Sequence, residues 1–156
     1  EEGVTEEGLE GALSKFVGDI MQVPPAFSAI KKDGKKAYEL ARKGQEVVME
    51  PRAVKIHSLV LSRPYGETSP NFEIEVTCGG GTYIRSLVRD IGRELGTAAH
   101  MAALVRTVQG EFALDDCMEF EDIYDCEKVL KAMPKSEERL AGLLEKLKAD
   151  KKRMQS

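Results

Sequence analysis

Residues 72–96 read FEIEVTCGGGTYIRSLVRDIGRELG. In the first seven residues apolar and polar side chains alternate, which predicts a β-strand with one buried face. Three glycines follow, and from Thr82 onward the apolar residues recur at the spacing of an amphipathic helix that ends at Gly96. This stretch therefore predicts a strand, a tight turn and a helix that begins at Thr82.

The flanking sequence predicts further elements of both kinds. A second strand over 54–61 is expected to pair with the first as an antiparallel hairpin across a loop at 64–70. Upstream, Thr5 is a suitable N-cap for an amphipathic helix that ends at Val17. Pro24-Pro25 excludes helix, so 21–30 is predicted to be extended.

The remaining predictions cover shorter segments and the C-terminus. Phe27 and Ile30 are expected to pack inward. The other predicted elements are a turn at 31–34, a helix over 35–43, a strand over 104–108, and two C-terminal helices over 122–133 and 136–152. Together these elements predict an α+β fold with a mainly antiparallel sheet flanked by helices, followed by a helical tail.

The net charge of the chain is −4, which by itself disfavours a nucleic-acid partner. The charges are unevenly distributed, however. Residues 1–10 and 111–127 hold five and eight acidic residues with no Lys or Arg, whereas 31–106 holds 13 basic and 9 acidic residues. The middle of the chain is therefore compatible with binding phosphates.

Composition excludes several other classes of protein. No apolar run approaches the roughly 20 residues that span a bilayer, so no membrane helix is predicted. The three widely spaced cysteines fit a reducing intracellular compartment, nucleus or cytoplasm, better than a disulfide framework. No Cys or His pair has zinc-ligand spacing. The chain starts at Glu1 without a Met or a signal peptide, so we expect an upstream segment to be missing.

The glycine run allows two interpretations. Backbone N–H groups at a helix N-terminus bind phosphate, but neither G-x-x-x-x-G-K-[ST] nor G-x-G-x-x-G is present. The glycines equally suit a purely structural turn. The purely structural interpretation does not explain Tyr83 or Arg85, and Arg85 opposes the helix dipole in the first turn of the predicted helix. Arg85 is therefore expected to have a fixed anionic partner, and Tyr83 offers a ring and a phenol beside it. Arg89 and Arg93 follow at four-residue spacing and are expected to lie on a solvated face, close to Asp90 and Glu94.

Four motifs in register resemble the TruB-type tRNA pseudouridine synthases. The likeness runs from about Phe16 to Phe112. The motifs are Gln22-Val23-Pro24-Pro25-Ala26-Phe27-Ser28-Ala29-Ile30-Lys31 with Gly34 and Tyr38 to Gly44, then Gly81 to Leu87, Asp90-Ile91-Gly92, and Leu104 to Gly110. The resemblance implies a cofactor-independent enzyme that flips a T-loop uridine of tRNA into a pocket and isomerises it with a nucleophilic Asp.

The resemblance also implies roles for individual residues. Arg85 would pair with the catalytic Asp and keep it ionised, Tyr83 would line the uracil pocket, and Leu104 would pack against the flipped base. Lys31 and Arg42 lie in family motifs and are either structural or RNA-facing, and Arg106 is a further candidate for binding the substrate. Residues 1–114 would then be the C-terminal portion of the catalytic domain, and 115–156 a helical extension.

The family's Asp motif is not in this sequence, because none of its eight aspartates is followed by Pro. We therefore expect the missing N-terminal part to supply the nucleophile, and the chain alone to be inactive. The expected partners are that missing part, the tRNA T-arm and other structured RNA. Two alternatives remain open: a catalytically inactive RNA-binding or RNA-chaperone module, and a purely structural interaction domain.

Overall fold

The computed structural model describes residues 3–32, 34–63, 65–66 and 70–153. It divides into two compact units, Glu1–Ala102 and Ala103–Ser156. In the first unit the elements are, in chain order, α1 (Glu6–Ser14), β1 (Gly18–Gln22), β2 (Lys31–Lys32), β3 (Lys35–Lys36), α2 (Ala37–Arg42), β4 (Arg52–Leu61), β5 (Ile74–Cys78) and α3 (Ile84–Glu94).

The first unit is built on an antiparallel sheet of three strands in the order β1-β4-β5. The core combines Leu9 and Leu13 of α1, Ile56 and Leu59 of β4, and Leu87 and Ile91 of α3. Ile56 and Leu59 are three residues apart, yet both join the core because the register of β4 against β5 shifts between Ile56 and Ser58. The predicted α+β class and the antiparallel hairpin are thereby confirmed.

Helix α3 packs closely against the chain that follows it. A Cβ placed on Gly92 would lie 2.5 Å from the backbone nitrogen of Ala99 and 2.8 Å from its Cβ. Leu87 and Ile91 have no exposed surface, and Gly96 ends the helical segment at a φ of +69°. The predicted helix and its glycine stop are confirmed, but α3 begins at Ile84 with Tyr83 as N-cap instead of beginning at Thr82.

The N-terminal helix is correctly predicted but shorter than expected. The Gly8 N–H donates to Thr5 Oγ1 at 3.1 Å, which confirms Thr5 as the N-cap. The helix ends at Ser14, three residues before Val17, because the chain turns there into β1. Strand β1 occupies part of the segment that was predicted only as extended, and it begins at Gly18, where φ is +107°.

Two further predictions in this unit need correction. Phe27 is 54% exposed and does not pack inward, whereas Ile30 is half-buried. The segment predicted as a turn and the start of a helix forms the β2–β3 hairpin, and helix begins only at Ala37. Asp33 of that turn and most of the predicted loop at 64–70 lie outside the described residues.

The second unit contains β6 (Val108–Gln109), β7 (Phe112–Ala113), two 3₁₀ turns (Leu114–Asp116 and Phe120–Tyr124) and α4 (Cys126–Arg153). The predicted strand over 104–108 is wrong except at Val108, because β-branched residues favour a strand only weakly without packing partners, and Leu104 and Val105 are 55% and 67% exposed. The two predicted C-terminal helices are one, since α4 continues through Pro134. Among the described helices, none is long and apolar enough to cross a membrane.

Candidate active site

The N-terminal turn of α3 carries the two residues that the sequence singled out. Tyr83 is the N-cap and Arg85 lies in the first turn, which contains no acidic residue. The Tyr83 side chain makes no capping hydrogen bond. Just before it, Gly81 has a φ of +83°, a conformation that favours glycine, and Thr82 Oγ1 donates to the Gly79 carbonyl at 2.9 Å. The glycine run thus includes a turn that points the chain into α3.

The acceptors that α3 lacks in its own sequence come from residues 22–28, here called the proline loop. The Tyr83 N–H donates to Gln22 Oε1 at 2.8 Å, Arg85 Nη2 donates to the Phe27 carbonyl at 2.9 Å, and Ser86 Oγ donates to the Val23 carbonyl at 2.8 Å. These partners are 58 to 63 positions apart in the chain. The proline loop therefore holds the first turn of α3 in place by tertiary hydrogen bonds.

Arg85 is exposed and bound on one side only. Its guanidinium donates to the Phe27 carbonyl oxygen, which is a neutral acceptor. Within the described ranges it forms no ion pair with a carboxylate. A guanidinium carries five N–H donors in a planar fork, so the Phe27 contact leaves donors available for an anion. The anionic partner of Arg85 stays a prediction.

Arg89 is more than the solvated residue that the sequence suggested. It forms a bidentate pair with Asp90, at 2.8 Å from Nε to Oδ1 and 3.0 Å from Nη2 to Oδ2. Its Nη2 also donates to the Val23 carbonyl at 3.1 Å. Arg93 is 70% exposed and reaches Asp90 only at 3.5 Å, which fits the expected solvated face. Arg89 therefore fastens the proline loop and Arg93 does not.

Three polar side chains are buried at this junction. Gln22, Ser28 and Ser86 are 2%, 4% and 1% exposed. Ser86 is satisfied by Val23, but Gln22 Nε2 and Ser28 Oγ have no hydrogen-bond partner among the described residues. Sequence reasoning missed Gln22 and Ser86 as functional residues. The sequence did carry a signal for both, namely a polar residue where a buried one is expected. Gln22 lies just before Pro24-Pro25, and Ser86 lies within the apolar stripe of α3.

The predicted substrate contacts of the first unit lie on and beside the β2–β3 hairpin. Lys31 is exposed and pairs in register with Lys36, and Lys32 pairs with Lys35. The Arg42 guanidinium lies 5.3 Å from the centre of the Tyr38 ring. Lys31 also lines a shallow pocket of about 150 Å³ between the hairpin and Val48 to Arg52. Lys31 and Arg42 thus belong to one exposed basic segment.

Leu104 and Arg106 belong to the second unit. Leu104 is 55% exposed, and Arg106 Nη1 donates to Gln109 Oε1. Their predicted roles in binding substrate stay predictions. In the described part of the chain, no cluster of three or more His, Cys, Asp or Glu side chains is arranged to hold a metal ion.

Two family models together match residues 1–148 of the chain. The family model described as TruB family pseudouridylate synthase (N terminal domain) matches residues 1–84, which is more than half of the chain. The chain belongs to the TruB family. A second family model, the tRNA pseudouridylate synthase B C-terminal domain, matches residues 85–148. The family suggested by the four sequence motifs is thereby confirmed.

Individual TruB relatives are similar over most of this chain. It is 49% identical over 124 residues to tRNA pseudouridine synthase B of Bacillus thuringiensis (strain Al Hakam), covering 77% of this chain and 40% of the relative. It is also 49% identical over 124 residues to the Parabacteroides distasonis protein of that name, covering 80% and 52%. The chain therefore spans about half or less of the length of these relatives.

A solved structure supports the fold. The crystal structure of a Cbf5-Nop10-Gar1 complex contains a chain that is 29% identical to this one, with a TM-score of 0.61. The match covers 82% of this chain and 33% of the other. The α+β architecture described above is thus shared with a much longer chain.

Proposed function

We propose that this TruB chain forms part of a tRNA pseudouridine synthase, in which Arg85 pairs with a nucleophilic Asp supplied by sequence outside these 156 residues. The observation that carries the proposal is the way in which the Arg85 side chain is held. Its guanidinium is fixed by the Phe27 carbonyl at 2.9 Å yet has no carboxylate partner in the described ranges. An exposed guanidinium that is held by one hydrogen bond at a helix N-terminus has further donors with which to bind an anion.

The proposed reaction moves the uracil ring on its ribose. The bond between N1 of uracil and C1′ of ribose breaks, a bond between C5 and C1′ forms, the proton on C5 is lost and N1 gains a proton. The Asp carboxylate acts as the nucleophile, and Arg85 keeps it ionised and oriented. Tyr83 forms a wall of the uracil pocket, where its ring stacks on the flipped base. No redox cofactor is needed, because substrate and product are isomers.

The β2–β3 hairpin supports an RNA partner. Lys31 lies opposite Lys36 across the two strands, and like charges directly opposite each other destabilise a hairpin. A polyanion lying across the hairpin would remove that repulsion. We propose that Lys31, together with Arg42 beyond the hairpin, contacts the phosphates of the T-arm, and that Leu104 and Arg106 also bind the RNA.

Tritium release from tRNA labelled at C5 of uridine tests this proposal. The 156-residue chain by itself is expected to release no tritium, because it lacks the nucleophile. The complete enzyme, which contains this chain and the Asp-bearing segment, is expected to release tritium in proportion to pseudouridine formed. Release by the isolated chain would contradict the predicted need for an outside Asp. A complete enzyme that binds tRNA without releasing tritium would support the RNA-chaperone alternative.

A further inference from the structure

The side chain of Gln22 makes a contact that neither the family motif nor the proposed chemistry explains. Gln22 is the last residue of β1, where it pairs with Arg52 of β4. Its side chain is 2% exposed, and its Oε1 accepts the Tyr83 N–H at 2.8 Å. The two residues are 61 positions apart. One end of the sheet is therefore bonded directly to the N-cap of α3.

The Tyr83 N–H has no acceptor within its own helix. As N-cap, Tyr83 offers its carbonyl to the backbone N–H groups of Ser86 and Leu87, both at 3.0 Å, while its own N–H points outside the ladder. No side chain of α3 caps this end. Gln22 supplies the acceptor, so it fixes the backbone position from which the Tyr83 ring and the Arg85 guanidinium project.

The other end of the same amide, Nε2, is buried and makes no compensating hydrogen bond within the described part of the chain. Reversing the amide would set Nε2 against the Tyr83 N–H, and two donors cannot pair, so its orientation is determined. A buried donor without a partner is unfavourable, and it offsets much of the gain from the Tyr83 hydrogen bond. The net contribution of the Gln22 amide to stability is therefore expected to be small.

We infer that Gln22 is a positioning residue, which sets the N-cap of α3 and thereby places Tyr83 and Arg85 for catalysis. This inference rests on the proposed function, since it assumes that those two residues act on uridine. It predicts that Gln22 contributes to the rate of the chemical step and little to RNA binding or to stability. Only the acceptor oxygen is required, so a side chain that keeps this oxygen is expected to work.

Three variants of the complete enzyme separate the contribution of Gln22 to the chemical step from its contributions to RNA binding and to stability. They are Gln22→Met, Gln22→Asn and Gln22→Glu. Met removes the acceptor at similar volume, Asn draws it back by one methylene, and Glu keeps an acceptor oxygen in either protonation state. For Met and Asn we expect kcat for tritium release to fall roughly ten- to a hundredfold, because small misplacements of catalytic groups have effects of this size. KM and the urea midpoint are expected to stay close to those of the parent. Gln22→Glu is expected to retain most of the parent kcat.

The exposed Gln45 offers the control, since Gln45→Met makes the same substitution away from this junction. In an Arg85→Lys background, Gln22→Met is expected to reduce kcat by a smaller factor than in the parent, because part of its effect acts through the placement of Arg85. The inference is overturned if Gln22→Met and Gln22→Asn keep kcat within about twofold of the parent. It is equally overturned if all three variants lose kcat and the urea midpoint together. An inactive parent enzyme would instead refute the proposed function.

Discussion

Arg85 in the first turn of α3 donates from Nη2 to the carbonyl oxygen of Phe27, 2.9 Å away, although the two residues are 58 positions apart. This contact explains how a cation is tolerated at a helix N-terminus, where the dipole disfavours positive charge. The Val23 carbonyl likewise accepts from Ser86, so the proline loop presents two of its carbonyl groups to α3. Local preference is here overridden by a tertiary contact.

The proline loop contains a buried serine whose removal is expected to be harmless or stabilising. Ser28 is 4% exposed and its Oγ has no partner in the described structure, whereas Ser86 is 1% exposed and donates to the Val23 carbonyl at 2.8 Å. Ser28→Ala should raise the free energy of unfolding by up to about 1 kcal/mol, because it removes an unpaired buried hydroxyl. Ser86→Ala should lower it by about 1 kcal/mol or more, because it removes a buried hydrogen bond and leaves a carbonyl acceptor less satisfied. Urea unfolding of the two variants tests this, and equal changes of the same sign would refute the explanation.

The close packing behind α3 makes Gly92 sensitive to substitution. A Cβ at that position would meet the backbone nitrogen of Ala99 at 2.5 Å. Because this atom belongs to the backbone, rotating a side chain could not relieve the clash. Gly92→Ala is expected to lower the free energy of unfolding by about 1–3 kcal/mol through overpacking. Gly11→Ala in α1 is the control, since a Cβ there meets nothing within 4 Å, and it should raise stability by about 0.5–1 kcal/mol. A Gly92→Ala protein as stable as the parent would show that the Ala98-Ala99 segment shifts freely.

The β2–β3 hairpin predicts a salt-dependent contact with RNA. Lys31→Gln should weaken tRNA binding and reduce the slope of log affinity against log salt concentration by roughly 1, as expected for the loss of one phosphate contact. Lys148→Gln in α4 is the control, because Lys148 is also exposed at 71% but pairs with Glu145 on the same helix. Fluorescence titrations at several salt concentrations measure both slopes. An unchanged slope for Lys31→Gln would place Lys31 outside the RNA interface.

The sequence predicted the parts of this fold that depend on neighbouring residues. The strand, glycine turn and helix of 72–96 follow from alternation, helical spacing and glycine stops, and the structure has all three. Thr5 was identified because an N-cap bond joins residues three apart. The family and the candidate pair Tyr83 and Arg85 followed from contiguous motifs. These are features that a chain encodes locally.

What the sequence did not predict depends on contacts between distant residues. Gln22 and Ser86 bridge 61 and 63 positions to their partners, and a polar residue at a buried position does not by itself indicate which distant residue it bonds. The segment 104–108 was assigned by β-branched content, yet only Val108 lies in a strand. The sequence predicted two C-terminal helices, over 122–133 and 136–152, yet one helix of 28 residues continues through Pro134, because the loss of one backbone donor does not outweigh the surrounding helical residues.

The most direct test of the central claim is the effect of Arg85→Ala on kcat for tritium release and on the Kd for tRNA, measured on the complete enzyme. Arg93→Ala is the matched control, since Arg93 lies on the same helix, is 70% exposed and makes no bond to the proline loop among the described contacts. We predict that Arg85→Ala lowers kcat by at least about a hundredfold while Kd changes by less than about tenfold, and that Arg93→Ala leaves both nearly unchanged. An Arg85→Ala enzyme that keeps kcat near that of the parent would contradict the assignment of Arg85 to the catalytic ion pair.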